Sequence, residues 1–284
     1  MTFLFRLLAR LPLGLMQAMG GLMGWCVWVL SGAYRRQFRR QVALSGVDPR
    51  RARAAIAGVG RMVAELPWVW ARPVGVAVLP RIDWQGEEHL RAALTAGRGV
   101  IVLSPHLGSW EVGAQALAEA FGAMRGEWVV LYRPPRKRWL QDLVEQSRQR
   151  THLRAVPTNL SGVRSIVRAL RAGGGTAILP DQVPPLGQGV WASFWGQSAY
   201  TMTLLPRLVQ QTGASVLLCW CERRPGGRFT VHVRPWEEPS LRDPQADPEA
   251  LALAMNQVVE SMVRACPEQY LWAYDRHKQP REHG

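Results

Sequence analysis

The chain has 284 residues, enough for one large domain or two small ones, and 48% of them are hydrophobic, which supports a sizeable buried core. Thirty-five Lys plus Arg against 21 Asp plus Glu give a net charge of +14, a balance suited to polyanions such as phosphate-bearing lipid head groups, an acidic carrier protein or nucleic acid. Cys26, Cys219, Cys221 and Cys266 share no paired spacing beyond one Cys-x-Cys, which argues against a disulfide framework or a metal site and fits a reducing compartment.

Residues 11–34 carry no charge, and LGLMQAMGGLMGWCVWVL (13–30) is the apolar heart of the stretch. As a helix it would span about 27 Å, close to the roughly 30 Å hydrocarbon core of a bilayer. Gly20, Gly21, Gly24 and the polar Gln17 weaken it, while Trp25 and Trp28 suit a membrane interface. Arg35, Arg36, Arg39 and Arg40 follow the segment, against Arg6 and Arg10 before it. That asymmetry predicts an inner-membrane protein whose body lies in the cytoplasm. A cleaved signal peptide ending near Ser31-Gly32-Ala33 is the competing reading, and a helix lying along the bilayer is as compatible as one spanning it.

From about residue 76 the pattern alternates. Apolar runs at 99–105, 127–133, 175–181 and 214–220 read as buried strands, with RFTVHVRP (228–235) as another. Helical patterns occupy 87–97, 109–122, 136–150, 160–173 and 247–266, and VPPLGQGV (183–190) reads as a loop. This predicts an α/β fold with a layered, largely parallel or mixed sheet flanked by helices.

The sharpest local feature is IVLSPHLGSWEVG (101–113). A strand ends at Ser104-Pro105, His106 occupies the turn, and a helix starts near Ser109. Ligands bind at such carboxyl ends of parallel strands. Glu111, five residues on, falls in the first helical turn, where a carboxylate can reach back to an imidazole nitrogen and fix its tautomer. Asp181 ends another buried strand, where it can hold an arginine or a substrate hydroxyl, or cap the following loop. His89, His152 and His232 have no carboxylate at a comparable position and read as structural. Neither His-Glu-x-x-His nor paired Cys-x-x-Cys occurs, so no metal is expected.

The stretch GEEHLRAALTAGRGVIVLSPHLGSWEVG (86–113) resembles the lysophospholipid acyltransferase superfamily, especially its branch of late lipid A biosynthesis acyltransferases. His106 and Glu111 match the family's His-x4-Asp/Glu signature. Further similarities follow in order: Tyr132, Arg133 and Pro134; Arg148-Gln149-Arg150; Leu-Pro-Asp-Gln at 179–182; GVWASFWGQSAYT (189–201); and PEQYLWAYDRHK (267–278). Glycerolipid acyltransferases carry Glu-Gly-Thr-Arg where this chain has Leu-Pro-Asp-Gln. The tail after Trp272 is less basic and less aromatic than the family pattern, which leaves its role open.

The resemblance implies a glycerol-3-phosphate-acyltransferase-like fold. A membrane-anchoring segment (1–34) and a basic helical connector (35–75) would precede a catalytic acyltransferase domain (76–284). It implies direct acyl transfer without an acyl-enzyme or cofactor, consistent with the lack of a Gly-x-Ser-x-Gly elbow. His106 would be the general base oriented by Glu111, and Arg133, Arg148 and Asp181 would bind substrate. The donor would be acyl carrier protein and the acceptor a lipid A precursor, with a lysophospholipid, ornithine lipid or glycolipid as alternative acceptors. No nucleic-acid partner is expected, because the chain has no recognisable helix-turn-helix or RNA-binding motif and its basic residues are dispersed beyond 35–53.

Overall fold

The computed structural model describes residues 2–73, 75–132 and 152–282. The amino-terminal part is helical: α1 (Thr2–Leu8), α2 (Leu13–Leu30), α3 (Gly32–Ser45), α4 (Pro49–Ala52) and α5 (Ala55–Ala71). The sheet-forming part follows as β1 (Ile82–Gln85), α6 (Glu87–Thr95), β2 (Val100–Leu103), α7 (Trp110–Arg125), β3 (Trp128–Tyr132) and β4 (Leu153–Pro157). It continues with α8 (Leu160–Arg171), β5 (Gly175–Ile178), β6 (Gly189–Phe194), β7 (Gln197–Met202), α9 (Leu204–Thr212), β8 (Ser215–Arg224), β9 (Arg228–Pro235) and α10 (Pro248–Ala265).

Seven strands form one mixed sheet in the order β1-β9-β8-β2-β5-β3-β4, in which only β8 and β9 pair antiparallel. The α/β class expected from the alternating pattern is therefore the observed one. β2 lies at the centre between β5 and β8, and its four residues are fully buried, which explains its unbroken apolar run. Val102, Cys219, Val112 and Leu117 belong to the core on one face, beneath α7. Leu103, Ile178, Trp220, Ile166 and Leu208 belong to the core on the other, beneath α8 and α9.

The segment 183–190, expected to be a loop, becomes the first strand of a β6–β7 hairpin at Gly189. Trp195 and Gly196 turn it with φ of 52° and 72°, the two positive values that a tight two-residue hairpin turn demands. Trp195 tolerates this because Glu260 accepts its backbone N–H at 2.7 Å and the Arg264 guanidinium lies 4.5 Å from its ring centre. The expected helix over 136–150 lies outside the described residues.

Helix α2 is long and apolar enough to cross a membrane, with 33% of its residues buried against the rest of the protein. Its glycines have a packing reason. A Cβ on Gly20 would collide with the carbonyl oxygen of Gly60, and one on Gly24 with that of Ile56, so α2 and α5 touch backbone to backbone. Leu22, Val29 and Leu30 remain exposed on the outer side. Trp28 packs edge-on to Phe38. Arg35 folds back to donate to the carbonyls of Trp28 and Val29, capping the carboxyl end of α2.

Candidate active site

β2 and β5 are parallel neighbours, with Leu103 opposite Ile178. The ladder runs one residue further, through the Ser104 N–H to the Ile178 carbonyl at 3.0 Å. Each strand then ends in a residue, a proline and a functional group: Ser104-Pro105-His106 and Leu179-Pro180-Asp181. Carrying the register onward sets His106 against Asp181.

The bonds are short and reciprocal. The Nδ1 of His106 lies 2.7 Å from Asp181 Oδ1, and its backbone N–H donates to Asp181 Oδ2 at 2.9 Å. Gln182 Nε2 stands 3.1 Å from His106 Nε2. A carboxylate at Nδ1 and an amide N–H at Nε2 fix one tautomer, with the proton on Nδ1 and the lone pair on Nε2. The Trp110 ring stands edge-on to the imidazole, 4.9 Å between centres.

Asp181 is 3% exposed. Burial pushes its carboxyl up, but the His106 charge and the two hydrogen bonds from His106 outweigh this and hold it below its ordinary value. Beside it, burial first and then the Asp181 charge push the Tyr270 phenol well above its usual value, so Tyr270 remains protonated.

The ring contacts are not the ones that sequence spacing suggested. Asp181 and Gln182 stand at the two ring nitrogens of His106, while Glu111 Oε2 accepts from Trp70 Nε1 at 3.3 Å. The cause is direction. Glu111 sits in the first turn of α7 and faces α5, whereas Asp181 leaves the neighbouring strand level with His106. Asp181 thus bonds the histidine itself. Arg133 and Arg148 lie outside the described residues.

His106, Glu111 and Gln182 line a cavity of about 1090 Å³ whose walls come from both faces of the sheet. Under α7 the wall is mostly apolar, with Val102, Ala114, Leu117, Val130, Ala177 and Cys219 beside the polar Glu111 and Gln115. Under α8 and α9, Leu160, Val163 and Leu204 are joined by the polar Asn159, Arg207 and Gln211. His106 sits at the strand ends between the two.

The turn that carries His106 is clamped from below. The Gly108 N–H donates to the Gln269 carbonyl at 3.1 Å, the Ser109 N–H to the Cys221 carbonyl at 2.7 Å, and the Leu271 N–H to the His106 carbonyl at 3.2 Å. The closing motif 267–278 therefore backs the turn that bears His106. Its tail has a structural role as well: buried Arg276 donates to the Tyr200 carbonyl and to Thr201 Oγ1, both at 2.7 Å, tying the tail to β7. Two groups escaped the sequence reading. Glu65 and Arg223 form a buried ion pair at 2.7 Å, and Arg223 also donates to the Gly108 carbonyl at 2.9 Å. A single carboxylate in the mostly apolar α5 run was the available signal.

The site is thus a carboxylate-held histidine at the end of a central strand of a mixed α/β sheet, beside a large cavity with apolar and polar walls. Comparison with known proteins makes the class specific. The profile of the bacterial lipid A biosynthesis acyltransferases matches residues 1–279, and the chain belongs to that family and is an acyltransferase. It is 26% identical over 284 residues to the lipid A biosynthesis acyltransferase of Haemophilus influenzae, covering 95% of this chain and 84% of the relative. Against the lipid A biosynthesis lauroyltransferase of Escherichia coli it is 26% identical over 226 residues, 78% of this chain and 69% of the relative. Against the lipid A biosynthesis myristoyltransferase of the same organism it is 27% identical over 242 residues, 82% and 72% of the two chains.

Proposed function

We propose that this protein transfers a fatty acyl chain from an acyl carrier protein thioester to a hydroxyl of a lipid A precursor, with His106 as general base. The observation that carries the reading is the placement of His106, held at Nδ1 by buried Asp181 with Nε2 beside Gln182 at the cavity. An acceptor hydroxyl replacing the Gln182 amide would donate to Nε2, and its oxygen would attack the thioester carbonyl as the proton moves to the imidazole. Collapse of the tetrahedral intermediate expels the carrier thiolate, which takes the proton back from Nε2. The products are an ester and a free carrier thiol. Asp181 stabilises the transient imidazolium, as an ionised, buried carboxylate at Nδ1 does in a catalytic triad.

The two walls of the cavity divide the substrates. The apolar wall under α7 suits the acyl chain, whereas Asn159, Arg207 and Gln211 suit a polar acceptor. Glu111, which lines the same cavity, is assigned to the acceptor, since a carboxylate oxygen accepts from hydroxyl and amide donors. Arg133 and Arg148 remain proposed phosphate ligands. The exposed apolar side of α2 and the arginines after it support attachment to the inner membrane with the site on the cytoplasmic face. Purified protein incubated with radiolabelled acyl carrier protein and a lipid A precursor tests the reading. Label should move into the lipid, and label that stays on the carrier with this acceptor but moves to a lysophospholipid would replace it.

A further inference from the structure

Gln17 is a polar residue in the middle of an apolar helix, and it is buried. Its Nε2 donates to Glu65 Oε1 at 2.8 Å. The same oxygen accepts from Arg223 Nε at 2.7 Å, and the other, Oε2, accepts from the Ser109 hydroxyl at 2.8 Å. Arg223 in turn donates to the Gly108 carbonyl at 2.9 Å. A continuous set of buried hydrogen bonds therefore runs from α2 through α5 and β8 into the turn bearing His106.

The cluster has an exacting geometry. Glu65 is 1% exposed, Ser109 3% and Arg223 8%. A buried ion pair of this kind is poor value as bulk stabilisation, since an apolar pair of similar volume does as well or better, and its retention needs another reason. What it fixes here is a two-residue stretch, Gly108-Ser109, between the histidine and α7. Gly108 has φ +66°, and a Cβ there would run into the Cys221 carbonyl, so the turn has one tight path. Ser109 is the N-cap residue of α7, yet its side chain makes no capping bond, because the hydroxyl is turned to Glu65 instead.

We infer that Glu65 and Arg223 are positioning residues for His106, and that Gln17 makes the docked α2 helix a working part of the site rather than a membrane tether alone. Loss of the Gln17 bond leaves Glu65 Oε1 to Arg223 alone and loosens the hold on Ser109 and Gly108. The imidazole then drifts from its attack geometry, whereas the cavity and substrate contacts stay in place. Displacements of this order cost up to about 10²-fold in rate.

The test rests on the acyl-transfer reading for its kinetic arm and is independent of it in the other. Full-length Gln17→Leu, Ser109→Ala and the double variant Glu65→Leu/Arg223→Met are purified in detergent. Steady-state rates with acyl carrier protein and a lipid A precursor should show kcat lowered about 10- to 100-fold with both KM values unchanged. Flotation of Gln17→Leu with phosphatidylglycerol vesicles should match wild type. The double variant, an apolar replacement of the whole pair, should keep its Tm yet stay slow, which a merely structural role would not produce. Hydrogen exchange at the Gly108 and Ser109 amides should quicken in all three. Wild-type kcat in Ser109→Ala and Gln17→Leu, or a KM change alone, overturns the inference. If wild type itself transfers no acyl group, the reaction reading fails, and exchange decides the inference: unchanged protection at Gly108 and Ser109 overturns it.

Discussion

Asp181 receives two hydrogen bonds from His106, one from the ring Nδ1 and one from the backbone N–H, across 75 positions of sequence. Ring and main chain are thus set by one carboxylate. Asp181→Asn is expected to cost about 10³–10⁴-fold in kcat, because an amide at this place favours the wrong tautomer, as in a serine protease triad. Glu111→Gln should impair acceptor KM more than it impairs the histidine. A pH–rate profile and separate kcat and KM values check both expectations.

The same bond makes a stability prediction. The Asp181 carboxyl titrates below its ordinary 3.8 in the folded protein, so its contribution is present above that value and is lost as pH falls through the folded one. The stability difference between wild type and Asp181→Asn should shrink as pH falls through the folded carboxyl value, below its ordinary 3.8. Denaturant unfolding across this range measures it.

Ala177 lies opposite Val102 on the apolar wall beneath α7. Ala177→Leu should shift donor preference toward shorter acyl chains, at about 0.8 kcal/mol for each methylene excluded. Val163→Phe, on the other wall, should leave chain-length preference unaltered. Competition between carrier proteins bearing different chains, read by mass spectrometry of the lipid product, checks the assignment.

The close contact of α2 with α5 should be intolerant of side chains. Gly24→Val places atoms on the Ile56 carbonyl and is expected to destabilise by about 1–3 kcal/mol, seen as a lower Tm.

Thiol chemistry should sort the cysteines by burial. Burial pushes Cys219 and Cys266 up to about 12, and Cys221 well above its usual value, while Cys26 is exposed on α2. At pH 8 a membrane-permeant maleimide should label Cys26 in vesicles and spare the other three, and a charged reagent should label none. Unfolding in guanidinium should release all four.

Much of this was legible in the sequence. The apolar runs marked β2, β3, β5 and β8 to within a few residues, because buried strands read as nearly unbroken hydrophobic stretches, and the alternation of RFTVHVRP marked β9. β1, β4 and the β6–β7 hairpin escaped: Ile82–Gln85 alternates over only four residues, and Gly189–Met202 is rich in small and polar side chains. His106 was legible from its strand-end position. Its partner was not, since pairing His106 with Asp181 requires knowing that β5 lies beside β2. Local spacing favoured Glu111, which is near in sequence but turned toward Trp70. Gln17 looked like a flaw in a membrane helix, and only the fold shows it bonded to Glu65.

The most direct measurement is single-turnover acyl transfer by purified wild type and His106→Ala, using radiolabelled acyl carrier protein and a lipid A precursor, with circular dichroism on both proteins. Wild type should move the label to the lipid, and the variant should keep its fold and transfer nothing above background. Transfer at the wild-type rate by folded His106→Ala would contradict the assignment of His106 as the base.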